Sequence, residues 1–182
     1  MDTTIKSNER VGKMKKSIVL TGFMGVGKST TGKLVAAKLK RKFIDTDKKI
    51  EWHFQMTIPE IFKQYGEETF RKKEKEIILN CLESGAHIIS VGGGAFLQEE
   101  IKKLCLEKST VVYLYISWEN WQKRLPYLID SRPLLQEKTM EEIKELFYKR
   151  MEFYKDYHVK IDTDGKHSEQ IADEIIEKLR LK

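Results

Sequence analysis

Short runs of apolar, β-branched and aromatic residues alternate along the chain with longer segments whose apolar positions recur at helical spacing. The short runs fall at 17–21, 42–45, 87–91, 110–116 and 159–162, and their length and composition predict strands. The longer period predicts helices at 28–39, at 50–65 in two pieces broken near Pro59, and at 67–82, 118–124, 140–157 and 168–181. Strands that alternate with helices build a mostly parallel sheet covered by those helices. The predicted fold is therefore α/β, with a five-stranded, mostly parallel sheet in a single domain spanning 17–182. Residues 1–16 are too polar to bury the surface that would offset their ordering entropy, and they predict a disordered tail.

Composition narrows the function classes. A chain of 182 residues with 40% hydrophobic positions supports one core and is short for two. It has neither a long apolar run nor a basic start followed by an apolar stretch, so the expectation is a soluble, cytoplasmic protein with no membrane partner; a monomer is expected. Cys81 and Cys105 sit in helical-looking stretches without the close spacing of a metal or redox pair, and both are expected to be buried, reduced thiols. The net charge of +6 attracts anions of any kind. Its basic residues are interleaved with acids, as in Lys72-Lys73-Glu74-Lys75-Glu76, and are not accompanied by exposed stacking aromatics, so no nucleic-acid partner is predicted. His53, His87, His158 and His167 show no metal-ligand spacing.

The most specific signal follows the first strand. Gly22-Phe23-Met24-Gly25-Val26-Gly27-Lys28-Ser29 fits the spacing of the nucleotide-binding P-loop and opens directly onto a helix. Glycines let successive N–H groups turn toward phosphate oxygens, and the helix N-terminus adds partial positive charge. Gly22, Gly25, Val26, Gly27, Lys28, Ser29 and Thr30 are thus the candidate ATP-binding residues. Lys28 would reach the β- and γ-phosphates, and the Ser29 hydroxyl would ligate Mg²⁺. The plain alternative is a tight turn with Lys28 exposed and Ser29 acting as the N-cap.

The second strand delivers Asp45-Thr46-Asp47 to the same sheet edge. On an extended chain Asp45 and Asp47 would face the crevice together while Thr46 points aside. One carboxylate could hold Mg²⁺ through water, a role assigned to Asp45, and Asp47 could accept the proton of an attacking hydroxyl. The alternative is capping of a helix that begins near Lys48.

Beyond these two motifs come Ile50-Glu51, Ile58-Pro59-Glu60-Ile61-Phe62, Gly66-Glu67, Phe70-Arg71-Lys72-Lys73-Glu74, Gly92-Gly93-Gly94, Arg132-Pro133-Leu134-Leu135, and Arg150 followed by Tyr154. In order and approximate spacing this series resembles the shikimate kinases, across nearly everything after the tail. The resemblance implies a P-loop NTPase-like fold with a mobile lid at about 122–136, and transfer of the ATP γ-phosphoryl group to shikimate, a small-molecule substrate. It implies that Arg71 and Arg150 hold the substrate carboxylate, that Gly92, Gly93 and Gly94 pack under the substrate together with Asp47, and that Arg132 contacts the transferring phosphoryl group. Arg124 resembles the arginine that lies against adenine, and 162–167 resembles the turn bordering that pocket. Taken alone, Arg71 could equally pair with Glu67 or Glu74 along one helix. Met56-Thr57 stand where the family usually carries a glycine. The residues also leave open a kinase of another polyhydroxy acid such as gluconate, or a non-catalytic ATP-binding regulator.

Overall fold

The computed structural model describes residues 16–129 and 133–181. The expected tail at 1–16 therefore lies almost wholly outside the described residues, and Arg132 lies outside them too.

Five strands form one sheet: β1 (Ser17–Thr21), β2 (Phe43–Asp45), β3 (Ile88–Ser90), β4 (Ser109–Tyr115) and β5 (Val159–Asp162), in the order β2-β3-β1-β4-β5. Every pairing is parallel, with Val19 of β1 level with Ile89 on one side and Val111 on the other. A strand covered on both faces needs no polar side, and all five residues of β1 are buried. The sheet order places the ends of β1, β2 and β3 side by side at one edge, which is where the motif-bearing loops leave the strands.

The helices are α1 (Lys28–Leu39), α2 (Thr46–Phe54), α3 (Ile58–Glu83), α4 (Glu99–Lys108), α5 (Trp118–Gln122), α6 (Leu125–Leu128), α7 (Pro133–Gln136), α8 (Met140–Phe153) and α9 (Ser168–Lys178), with a 3₁₀ turn at Ala95–Leu97. The break expected near Pro59 falls at 55–57, between α2 and α3, and Pro59 itself sits in the first turn of α3, where its missing N–H has no helical partner to lose. The Thr57 and Glu60 capping box starts that helix, and Gly66 (φ 78, ψ 170) interrupts it. The turn between α2 and α3 takes its left-handed residue at Gln55 (φ 53), next to the Met56-Thr57 departure. There the Gln55 side chain donates to the Trp52 carbonyl, so the turn closes without a glycine. α4 was expected only as the helical-looking stretch around Cys105, without bounds. Its buried residues are Ile101 and Cys105, a stripe too thin to stand out against its charges. α8 ends at Phe153 instead of continuing to 157, because Tyr154 leaves the helical conformation and turns its buried ring inward.

The main core lies around the sheet, and Ile50, Ile61 and Phe70 form a smaller cluster that joins α2 to α3. The same two helices carry Asp47, Arg71 and Glu74. Cys81 and Cys105 are buried free thiols, and burial raises the pKa of both, that of Cys105 to about 12, which disfavours the thiolate. Among the described residues no helix is long and apolar enough to cross a membrane.

Candidate active site

At the end of β1 the chain must turn sharply under the carbonyl of Leu114. Gly22 does so with φ 142, and a Cβ there would stand 2.5 Å from the Leu114 oxygen. Gly25 (φ 77) and Gly27 (φ 101) are also left-handed, so the loop curls around its own N–H groups. Gly27 is the N-cap of α1 and brings no side chain to that end. The Ser29 hydroxyl does not cap the helix. It donates instead to Asp45 Oδ2 at 2.6 Å, across to the end of β2. Lys28 Nζ arches back over the loop and donates to the carbonyls of Gly22 at 2.8 Å and Phe23 at 3.2 Å. Val26 is buried beneath the loop, whereas Thr30 is exposed.

Two further side chains brace the loop from the segment after β4. Trp121 Nε1 donates to the Met24 carbonyl at 2.7 Å, and Arg124 Nη1 donates to the Gly25 carbonyl at 3.0 Å. Arg124 is thus placed at the nucleotide loop. The 162–167 turn is held beside it: Asp164 accepts from Ser117 N at 3.1 Å, and Thr163 Oγ1 donates to the Tyr115 carbonyl at 2.8 Å.

The expected geometry of the two aspartates needs one correction. Helix α2 begins at Thr46, not Ile50, with Asp45 as its N-cap accepting from Lys48 N at 3.3 Å. Asp47 therefore lies in the first helical turn, and extended alternation is not what relates it to Asp45. Both carboxylates still reach the crevice, Asp45 beside Ser29 and Asp47 along a deeper cleft. Thr46 is buried away from both. Polar residues at 46–49 hid the first helical turn, since they carry no apolar period.

The cleft has a volume of about 600 Å³. Asp47, Arg71, Glu74, Arg150 and the Gly92–Gly94 turn line its polar side, with Phe62 and Phe70 among its apolar walls. Arg71 and Arg150, distant in sequence, meet here. Arg71 is held from below: Nε pairs with Glu67 at 3.2 Å, and Nη1 pairs with Glu74 at 2.8 Å. The ion pairs along the helix and the position at the cleft thus coexist. Glu74 is only 1% exposed and also accepts from Gln98 Nε2 at 2.7 Å. Burial raises the Glu74 pKa, Arg71 opposes that rise, and the neighbouring Asp47 charge adds to it. Burial lowers the Arg150 pKa, and the Arg71 charge reinforces the effect. Two guanidiniums that repel each other across one cleft favour an anion between them, and their planar donors match a carboxylate.

The glycine turn allows close approach. A Cβ on Gly92 would stand 2.5 Å from Asp47 Oδ1, and one on Gly94 would stand 2.9 Å from Arg71 Nη2. Glu74 had been visible only as part of a motif, and Gln98 carried no signal at all, because the contact between them joins separate helical segments. Trp121 was likewise missed, since an indole bonded to a loop carbonyl reads in sequence as an ordinary core residue.

Residues 24–180 match the family described as "Shikimate kinase". The chain is 53% identical over 167 residues to the shikimate kinase of Bacillus licheniformis, covering 91% of this chain and 94% of that one. It is 50% identical over 168 residues to the shikimate kinase of Bacillus subtilis, covering 92% and 90%. Among solved structures it resembles the shikimate kinase from Acinetobacter baumannii in complex with shikimate, with a TM-score of 0.83 and 33% identity, covering 91% of this chain and 93% of that one.

Proposed function

The chain belongs to the shikimate kinase family, and on that premise we propose that it transfers the γ-phosphoryl group of ATP to the 3-hydroxyl of shikimate, giving shikimate 3-phosphate and ADP. The observation that carries this reading is the convergence of Arg71 and Arg150 on one cleft that also holds Asp47 and abuts the P-loop. A carboxylate between the two arginines would set the ring of a small acid over the Gly92–Gly94 turn, with a hydroxyl directed toward Asp47. Lys28 and the loop N–H groups would hold the β- and γ-phosphates. Asp47 then takes the hydroxyl proton as the new O–P bond forms in line and the bond to the β–γ bridging oxygen breaks. Arg132, outside the described residues, is assigned from its Arg-Pro-Leu-Leu block to spread the developing charge. Closure of the 122–136 segment as a lid and packing of Arg124 against adenine belong to the same proposal, as does a cytoplasmic, monomeric protein.

Ser29 and Asp45 are the residues that would hold Mg²⁺, Asp45 through water. Their hydroxyl and carboxylate oxygens lie together at the mouth of the loop and suit a hard cation. Bound there, Mg²⁺ would neutralise charge on the β- and γ-phosphates.

Product analysis tests the reaction. After incubation with MgATP and shikimate, phosphorus NMR should show a phosphate monoester coupled to the ring proton at position 3; an ester at another hydroxyl, or none, would overturn the proposed chemistry. Arg71→Ala should raise the KM for shikimate on the order of 10- to 100-fold, the value of a charge-assisted bidentate contact, with a much smaller effect on the KM for ATP. Steady-state kinetics in each substrate checks this, and an unchanged shikimate KM would leave Arg71 a merely structural ion-pair partner.

A further inference from the structure

Tyr154 follows Arg150 by one helical turn and closes the end of α8, with 1% of its surface exposed. Its ring stacks on that of Tyr113 in β4, at a centroid distance of 5.7 Å and an interplanar angle of 28°. The Tyr113 hydroxyl is engaged elsewhere, donating to Met151 Sδ at 2.8 Å. This stack aims the Tyr154 hydroxyl at the Gly93 carbonyl, to which it donates a hydrogen bond. Gly93 is the middle of the glycine turn. The space beside its Cα is bounded by Met24 N, the Tyr154 hydroxyl and the Gly22 carbonyl, which are 3.6, 3.8 and 3.9 Å from where a Cβ would stand. The Gly93 peptide is therefore wedged between the nucleotide loop and Tyr154. Its two neighbours are the points at which Asp47 and Arg71 come against the turn.

A phenylalanine would fill the same apolar slot, so packing alone does not call for a hydroxyl here. Burial raises the phenol pKa well above its ordinary value, which keeps Tyr154 a neutral donor at any working pH. We propose that Tyr154 is a positioning residue for the acid substrate: its hydroxyl ties the Gly92–Gly94 floor to the helix end that carries Arg150, and so sets the spacing between floor and carboxylate clamp. Tyr154 is not among the residues that line the cleft, so it acts through the turn. The inference rests on the reading of Gly92–Gly94 and Arg150 as the acid site.

Tyr154→Phe removes only the hydroxyl. Loss of one neutral buried hydrogen bond should raise the KM for shikimate roughly 3- to 10-fold, while kcat and the KM for ATP change by less than about twofold. Tyr113→Phe is the matched control, because it removes a buried hydroxyl from the same stack without touching the turn; it should lower Tm comparably and leave both KM values in place. Tyr154→Met fills the slot with a flexible apolar chain and gives a second reading should the phenylalanine variant fail to fold. Wild-type protein that turns over shikimate, with Tyr154 variants no different from Tyr113→Phe or with both KM values raised alike, would overturn the positioning role alone. Wild-type protein that releases no ADP with shikimate would overturn the functional reading and this inference together.

Discussion

Asp47→Asn is expected to lower kcat by about 10²- to 10⁴-fold, the usual contribution of a positioned general base, with the affinity for ATP nearly intact. The substitution preserves shape and removes only the charge and proton-accepting capacity. Asp47 stands in the first turn of α2, where its charge favours the helix dipole by a few tenths of a kcal/mol to about 1 kcal/mol. That loss is opposed by relief of the repulsion between Asp47 and buried Glu74, whose pKa the Asp47 charge helps to raise. The variant should therefore fold. Lys28 and Ser29, the residues proposed to meet the nucleotide, bond to the loop carbonyls and to Asp45 and are left as they are. Steady-state kinetics together with ATP titration measures both quantities, and an Asn variant with near wild-type kcat would remove Asp47 from proton transfer.

Lys28→Ala is expected to reduce turnover by about 10²- to 10³-fold, the effect of deleting one preorganised donor to developing charge. Its loss should be felt with nucleotide more than with the acid, because Lys28 bonds to Gly22 and Phe23 within the loop. The thermal stabilisation conferred by MgATP should shrink while that conferred by shikimate persists. An alanine variant with turnover within a few-fold of wild type would show that the loop holds phosphate through its backbone alone.

Local patterns carried the parts of the architecture that neighbouring residues decide. β1 and α1 lie where the hydrophobic period places them, and the loop between them was legible because its glycines and Lys28 are set by spacing within one short segment. The start of α2 was legible only as the capping alternative: Thr46-Asp47-Lys48-Lys49 has no apolar period, and the Lys48 N–H that donates to the Asp45 side chain marks that end. The meeting of Arg71 with Arg150 could be expected from the family resemblance but not from the residues, since it depends on how α8 returns to the sheet edge. The same holds more strongly for Glu74 with Gln98 and for Tyr154 with Gly93. Each joins segments that no local rule connects, and each involves a polar group whose burial appears only in the assembled fold. Arg71 shows why bland and functional readings need not compete, because its pairs with Glu67 and Glu74 are what hold it at the cleft.

The most direct test of the account is a coupled ADP-release assay on the purified protein with MgATP and shikimate, run beside gluconate, a panel of nucleoside monophosphates and the Lys28→Ala variant. ADP release that depends on shikimate and is lost in the variant is the expected result. Release that is equal without shikimate, or that follows gluconate or a nucleoside monophosphate instead, would contradict it.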